Sequence, residues 1–166
     1  MDVSDIFKKR NFKNVNFKYE NLIGKNLSDS FFSGVDLSDV DIHDANFSGS
    51  DLSQANLQKG ILFSVKFRGA DLRGSNLCEA KIWDSDMYGI DLRGADLRGS
   101  DLFNTNLKSS DLTDADLSGS YLKNDDFTGS IMENTKFSET RYDNKTFDTI
   151  TDNKAKLRLK NHGILW

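Results

Sequence analysis

The sequence predicts an all-β fold in which the chain winds into one parallel solenoid. Three observations support this prediction. An apolar residue stands at every fifth position from Phe12 to Tyr142 without a break, a small residue usually stands two positions before it, and ten of the 12 glycines stand two positions after it. A structural unit repeated at a fixed period is the sequence signature of a solenoid, in which each unit packs on its neighbours.

The five-residue period fits neither an α-helix nor a flat strand. We call the apolar position i. Steps of five residues scatter these positions around a helix and alternate them between the two faces of a strand. A chain that turns a corner every five residues instead places each i residue inside, with the small i−2 residue beside it. Four such segments close a square coil, and stacking at the usual strand spacing predicts about seven coils.

Glycine and proline usage agrees with this geometry. The glycines at i+2, such as Gly74 and Gly94, indicate corners with positive φ, which glycine adopts without steric cost. The chain contains no proline. That absence is expected if every segment donates backbone N–H groups to a neighbouring coil.

Several segments resemble the A(D/N)LXX consensus of the pentapeptide-repeat family. They are Ala-Asp-Leu-Arg-Gly (70–74 and 95–99), Ala-Asn-Phe-Ser-Gly (45–49) and Ala-Asp-Leu-Ser-Gly (115–119). The resemblance covers residues 11–147, and the flanks look similar to those of cyanobacterial members. It implies a right-handed quadrilateral β-helix without catalytic residues or cofactor, whose outer faces bind partners.

Some members of that family are DNA-like inhibitors of type II topoisomerases such as gyrase. Those members usually carry loops and breaks between coils, whereas the repeats of this chain run uninterrupted. The resemblance therefore favours a binding module over a topoisomerase inhibitor.

We divide the chain into three segments. Residues 1–10 are expected to form an N-terminal cap, a short helix from Val3 to Arg10 with Val3, Ile6 and Phe7 on one side. Residues 11–150 form the pentapeptide-repeat β-helix, and residues 151–166 form a C-terminal cap or a dimerisation segment.

The C-terminal segment permits two interpretations. Its stretch from Lys154 to Lys160 alternates charged and apolar residues like an edge strand, while Asp152 and Gly163 bracket it like helix caps. An apolar set in this segment is expected either to lie over the last coil or to meet the same set in a second molecule, giving a homodimer: Leu157, Leu159, Ile164, Leu165 and Trp166.

Composition excludes several classes of protein. The formal net charge of -4 provides no general attraction to nucleic acid or anionic membrane. No stretch reaches the roughly 18 apolar residues of a membrane span, and the N-terminus lacks the layout of a signal peptide. The single cysteine, Cys78, cannot form an internal disulfide. We therefore expect a cytoplasmic protein.

The sequence favours a non-enzymatic role without metal or cofactor. His43 and His162 lie far apart in the repeat, Cys78 has no sulfur partner, and no pair resembles an activated nucleophile and its base. Because the inner positions are committed to packing, function is expected at the outer positions i−1, i+1 and i+2.

One outer column is apolar and is the predicted face for a protein partner. Its aromatic residues are spaced twenty positions apart, and two further members stand at i−1, where Asp or Asn is usual: Ile61, Phe63, Trp83, Phe103 and Tyr121. Exposed apolar patches of this kind mark interaction sites. The alternative is that these side chains only stabilise neighbouring strands or are covered by the terminal segment.

A second candidate surface is acidic, and a DNA mimic acting on gyrase is the alternative function. Its residues lie in a stretch without Lys or Arg: Asp36, Asp39, Asp41, Asp44 and Asp51. Arginines at mid-length interrupt the negative field. The vertical column of Asp51, Asp71, Asp91 and Asp111 is expected to consist of solvated turn residues, whose repulsion is eased if Arg73 and Arg93 reach across. A purely structural oligomer is the third possibility.

Overall fold

A computed structural model describes residues 11, 12, 15, 17 and 20–166. The helix predicted within residues 1–10 lies outside the described residues. From Asn26 to Tyr121, each five-residue segment forms a parallel bridge with the segment twenty residues later, as in Asp51↔Asp71 and Asp71↔Asp91. The predicted twenty-residue register therefore holds along the chain.

The bridges form four ladders, which we name A to D in the order of the chain through one coil. Ladder A contains Phe31, Asp51, Asp71, Asp91, Asp111 and Ile131, and ladder B contains Asp36, Asn56, Asn76, Asp96, Asp116 and Lys136. Ladder C contains Asp41, Ile61, Lys81, Asp101, Tyr121 and Arg141, and ladder D contains Asn26, Asn46, Lys66, Asp86, Asn106 and Asp126.

The core fills the inside of the coils. Every apolar i residue from Phe12 to Tyr142 is at most 5% exposed. The i−2 residues are small because they lie beside the i residues at the inner corners, and their hydroxyl groups donate to carbonyl oxygens, as Thr105 does to Ile82 at 2.7 Å. Removing this continuous apolar column from water is the main stabilising contribution to the fold.

Each corner is a left-handed backbone conformation. All i+2 residues from Gly24 to Glu139 have positive φ, including fourteen that are not glycine. Asp and Asn account for eight of these fourteen, and they tolerate this region better than other side chains. The prediction of positive φ at the glycine corners is confirmed.

The preference for Asp or Asn at i−1 has a local cause. The side-chain oxygen at i−1 accepts the backbone N–H of residue i+1, as Asp51 does from Ser53 at 3.0 Å and Asn76 from Cys78 at 3.0 Å. This Asx-type bond holds the chain in the turn that forms each corner.

Ladder C departs from this pattern and forms a sheet. Its strands are β1 (Lys81–Trp83), β2 (Asp101–Phe103), β3 (Tyr121–Lys123), β4 (Arg141–Tyr142) and β5 (Ile164–Leu165), all parallel and in that order. Lys81 and Tyr121 at i−1 lack a carboxylate or carboxamide that could accept the i+1 N–H. The chain stays extended for one more residue here, also at Asp101, and Trp83 pairs with Phe103 in register.

After Tyr142 the chain leaves the five-residue pattern. Helix α1 spans Asn144–Thr149, and the Asp143 side chain caps it by accepting the Thr146 N–H at 2.8 Å. Phe147, which the periodicity would place inside the next coil, lies in α1 and stacks on Tyr142 with a centroid distance of 5.6 Å.

The sequence left residues 154–160 open between an edge strand and a helix, and in the structure they form a helix. Helix α2 spans Asn153–His162. Asp152 caps its start by accepting the N–H groups of Lys154 and Ala155, and the Gly163 N–H bonds to the Leu159 carbonyl at 2.7 Å.

The C-terminal segment satisfies polar groups at the open end of the last coil. Arg158 donates from Nε to the Thr135 carbonyl at 3.2 Å and from Nη2 to the Met132 carbonyl. The Ile164 N–H donates to the Thr140 carbonyl at 2.7 Å and places β5 beside β4. An open solenoid end would otherwise present unpaired backbone groups to solvent.

Candidate functional site

The five residues of the predicted partner face all lie on the outside of ladder C, and we call them the aromatic face. Phe63 and Trp83 stack with a centroid distance of 4.6 Å and an interplanar angle of 13°. Ile61, Phe63, Trp83 and Phe103 are half-buried, and Tyr121 is 37% exposed. The parallel register of β1, β2 and β3 positions these side chains one coil apart.

Trp166 continues the aromatic face at the end formed by Tyr121. The rings of Tyr121 and Trp166 meet edge to face at 6.5 Å. The Lys123 ammonium lies 5.1 Å from the Trp166 centroid, and the Arg141 guanidinium lies 5.2 Å from the Tyr121 centroid. Trp166 itself is 58% exposed. Trp166 therefore extends the aromatic face. At this end the face presents the edges of two aromatic rings together with the cations of Lys123 and Arg141.

Trp83 is held in place by packing. Its indole Nε1 is buried and has no hydrogen-bond partner among the described residues. A buried polar group without a partner costs about 1–3 kcal/mol. The stack on Phe63 therefore fixes a tryptophan whose polar group is left unsatisfied, a feature that the sequence pattern does not reveal.

The structure separates the apolar residues predicted for capping or dimerisation. Leu159 is fully buried on the inner side of α2. The others are exposed, with relative exposures of 58% for Leu157, 47% for Ile164, 53% for Leu165 and 58% for Trp166. One of the five therefore packs on the last coil, while four face outward at this end of the rod.

The predicted acidic residues do not share one ladder. Asp36, Asp41 and Asp51 lie on ladders B, C and A, and Asp39 and Asp44 are corner residues. Asp41 is 2.7 Å from His43 Nδ1, and Asp51 accepts the Ser53 hydroxyl at 2.6 Å. Hydrogen bonds from Ser38 lower the pKa of Asp36. These carboxylates are therefore distributed around the coil.

Ladder A carries alternating acids and arginines half a coil away from the aromatic face. Arg73 Nη2 lies 2.6 Å from Asp71 and its Nε lies 3.7 Å from Asp91 on the next rung. Arg93 makes the same contacts with Asp91 and Asp111, at 2.6 and 3.8 Å. The hydrogen bond from Arg73 holds the pKa of Asp71 below its ordinary value. Arg73 and Arg93 therefore bridge successive rungs of this column.

The described part of the chain contains neither a metal-binding cluster nor a membrane-spanning helix. Within it, no group of three or more His, Cys, Asp or Glu side chains is arranged to hold a metal ion. None of the helices in these residues has the length and apolar character needed to cross a membrane.

Comparison with known proteins agrees with the repeat geometry. The family model described as pentapeptide repeats matches in eight copies, which together span residues 11–141. No curated protein sequence matches the chain significantly.

Solved structures that are similar to this chain include proteins of different origin. A trypsin-treated form of QnrB1, a plasmid-mediated fluoroquinolone resistance protein, has a TM-score of 0.58 and 16% identity, covering 85% of this chain and 89% of its own. HetL, involved in heterocyst differentiation regulation in the cyanobacterium Nostoc sp. strain PCC 7120, has a TM-score of 0.35 and 18% identity over 84% and 96%. A protein of the Arabidopsis thaliana thylakoid lumen has a TM-score of 0.37 and 23% identity over 80% and 81%.

The family match and the twenty-residue register lead to the same assignment. The chain belongs to the pentapeptide-repeat family, and its fold is a right-handed β-helix.

Proposed function

We propose that this chain is a non-enzymatic binding module that contacts another protein through the aromatic face. The supporting observation is the flat Phe63–Trp83 stack on the outside of the one ladder that forms a sheet. Most other outer positions carry Asp, Asn, Ser, Thr or a charged residue. Aromatic residues held rigidly at a surface contribute contact area at low entropic cost, and they are enriched among interface hot spots.

The residues at i−1 of this face support a role beyond stability. At most other i−1 positions, an Asp or Asn accepts the i+1 N–H, a bond that contributes about 0.5–1.5 kcal/mol. Ile61 and Tyr121 cannot accept this bond. Their presence at these positions therefore exchanges a local hydrogen bond for outer apolar surface, as expected of a surface that binds a partner.

The proposal includes finer features of the architecture and location. We propose a four-sided cross-section with about seven coils, from the usual spacing of strands. Residues 151–166 act as a C-terminal cap. The protein works in the cytoplasm of a bacterium, as its composition predicts.

The test is affinity capture from a lysate of a bacterium that encodes the protein. Trp83→Ala is compared with Tyr88→Ala, since Tyr88 is also an i+1 aromatic, 37% exposed, but lies on ladder D beneath Arg68. A partner retained by the wild type and by Tyr88→Ala but lost by Trp83→Ala is the expected result. Circular dichroism must show that both variants remain folded. Equal capture by all three proteins would refute the aromatic face as the binding surface.

A gyrase-directed DNA mimic is the second candidate, favoured by the acidic corners and rungs near the N-terminal end of the rod. Asp36, Asp39 and Asp44 make no ion pair within the described residues. Inhibition of gyrase supercoiling that weakens with salt, and that is lost when Asp36, Asp39 and Asp41 are changed to Asn, would support this candidate. Inhibition unchanged by these substitutions would exclude it.

A structural oligomer is the third candidate, including a homodimer formed through the C-terminus. The exposed Ile164, Leu165 and Trp166 at the end of the sheet favour it. Sedimentation of the wild type and of Leu165→Asp tests this candidate. A dimer that the substitution dissociates supports self-association, whereas a wild-type monomer at micromolar concentration excludes it.

A further inference from the structure

Asp125 is a buried carboxyl group at an inner i−2 position. Its side chain is fully buried, in a column where the coils before it place the neutral residues Ser85 and Thr105. Oδ1 accepts the Thr105 N–H at 2.8 Å, and Oδ2 has no partner among the described residues. A buried carboxylate with one unsatisfied oxygen is strongly disfavoured relative to the neutral acid.

The same residue joins the last coil to the C-terminal cap. Along this column, a backbone N–H donates to the side chain of the next rung: Val65 donates to the Ser85 hydroxyl at 3.2 Å, and Thr105 donates to the Asp125 carboxyl. The Asp125 N–H donates instead to the Thr146 hydroxyl of α1 at 3.0 Å. The Phe127 N–H donates to the Thr149 hydroxyl of α1 at 3.0 Å. Helix α1 therefore takes the place of the missing rung, directly against the buried acid.

Few charged groups face this carboxyl. Burial raises the pKa of Asp125 well above its ordinary value, opposed by the N–H groups of Thr105 and Lys123 and reinforced by the negative charge of Asp143 in the cap. Asp126, the next residue, points outward and binds Thr128 and Lys108.

The remaining titratable groups of the cap are exposed or half-buried. Lys145 of α1 and His162 of α2 are exposed, whereas Arg158 of α2 is half-buried and donates to the carbonyls of Thr135 and Met132. Within the described residues, no cation forms an ion pair with Asp125.

We propose that Asp125 is a pH-dependent latch for residues 143–166, which comprise helix α1 and the C-terminal cap, and from here on we call this whole segment the cap. The cap docks on the last coil while Asp125 is protonated and loosens when it ionises. Because β5 and Trp166 belong to the cap, ionisation of Asp125 also releases Tyr121 of the aromatic face from its contact with Trp166. The latch does not depend on the proposed binding function, since it concerns only the junction of coil and cap.

The direction of the effect follows from proton linkage. A group whose pKa is raised in the docked state binds more protons there than in the open state. Docking is therefore strongest at low pH and weakens as the pH rises towards the raised value, by up to about tenfold in the opening equilibrium per pH unit. Above that value the opening equilibrium becomes constant.

Tryptophan fluorescence of the intact chain tests the latch. The chain has two tryptophans, so Trp83→Phe leaves Trp166 in the cap as the only one. In this background, the Trp166 emission of the protein with Asp125 should change between pH 5 and 9. With Asp125→Asn it should remain constant, because Asn keeps the acceptor for the Thr105 N–H but cannot ionise. Asp125→Thr, which repeats Thr105 of the preceding rung, serves as a second neutral variant if Asn does not fold.

Hydrogen exchange of α1 and α2 at pH 8 provides an independent measurement. Exchange in the cap should be at least tenfold faster with Asp125 than with the neutral variants, whereas exchange in the coils around Leu72 should be equal. Far-UV circular dichroism should stay unchanged. The same pH transition in neutral variants would overturn the latch and assign it to another group, such as His162. The absence of any transition in the protein with Asp125 would overturn it as well.

Discussion

The corner conformation predicts the effect of replacing Gly94 by alanine. Gly94 has a φ of +65°, and a Cβ at this position would meet no atom within 4 Å. The cost of the methyl group is therefore conformational. An L-residue in the left-handed region costs about 1–2 kcal/mol, and alanine recovers about 0.4–1 kcal/mol by restricting the unfolded chain. We expect a net destabilisation of about 1 kcal/mol from these two contributions.

Two matched variants separate conformation from other causes. Gly94→Asn should cost less than Gly94→Ala, because Asn tolerates positive φ. Ser64 has a φ of +54°, so Ser64→Gly relieves strain and should be neutral or stabilising by up to about 1 kcal/mol after the entropic cost of glycine. Gly74→Ala should cost about as much as Gly94→Ala, because its Cβ would meet only the flexible end of the exposed Gln54 side chain, which can move aside.

Urea denaturation followed by circular dichroism measures these differences. With a slope of about 2 kcal/mol per molar, a loss of 1 kcal/mol lowers the midpoint by about 0.5 M. The slope must be the same for all variants, since a change would indicate partial unfolding of the rod. Gly94→Ala with the wild-type midpoint would refute the argument, as would a Ser64→Gly variant less stable than the wild type.

Three further predictions concern the core, the arginine ladder and the cap. Leu92→Ala should lower the free energy of unfolding by about 2–5 kcal/mol in urea denaturation, and Leu92→Lys should unfold the rod or divide its transition. Arg73→Gln should raise the pKa of Asp71 towards its ordinary value in an NMR titration. Since a lowered pKa stabilises the fold above the ordinary value and loses that contribution on acidification, the variant should be less sensitive to acid below about pH 4. Asp152→Ala should destabilise α2 by about 1 kcal/mol, measured by hydrogen exchange in that helix.

The sequence predicted the coils because one rule, an apolar residue every five positions, extends from Phe12 to Tyr142. It could not decide the state of residues 154–160, because a short alternation of Lys, Leu and Arg suits a strand and a helix. The capping bonds of Asp152 decide it in favour of the helix. The rule also breaks at Phe147, where the Asp143 cap starts α1 instead of a new corner.

The sequence placed the aromatic residues on one ladder correctly but did not reveal that the acidic residues lie on different ladders, and the reason is geometric. Residues twenty apart stack, so the column from Phe63 to Phe103 could be assigned to one ladder from numbering alone. Residues five apart lie on different ladders, so a stretch of acids such as Asp36, Asp41 and Asp51 is divided among three of them. In the sequence, Asp125 stands out only as an acid at an i−2 position, where most residues are small. Its contact with the cap could not be predicted, because it depends on where α1 docks.

Because the bridges join residues twenty positions apart, the rod can change its length without shifting its ladders only in steps of twenty residues. Inserting twenty residues between Phe103 and Tyr121 would lengthen the rod by one coil and leave both residues on ladder C. Inserting five residues at the same point would preserve every inner contact type but move Tyr121 and Trp166 to the next ladder, away from Trp83. A binding surface on such a rod can therefore be lengthened in whole coils, whereas a single added repeat divides it while leaving the fold intact.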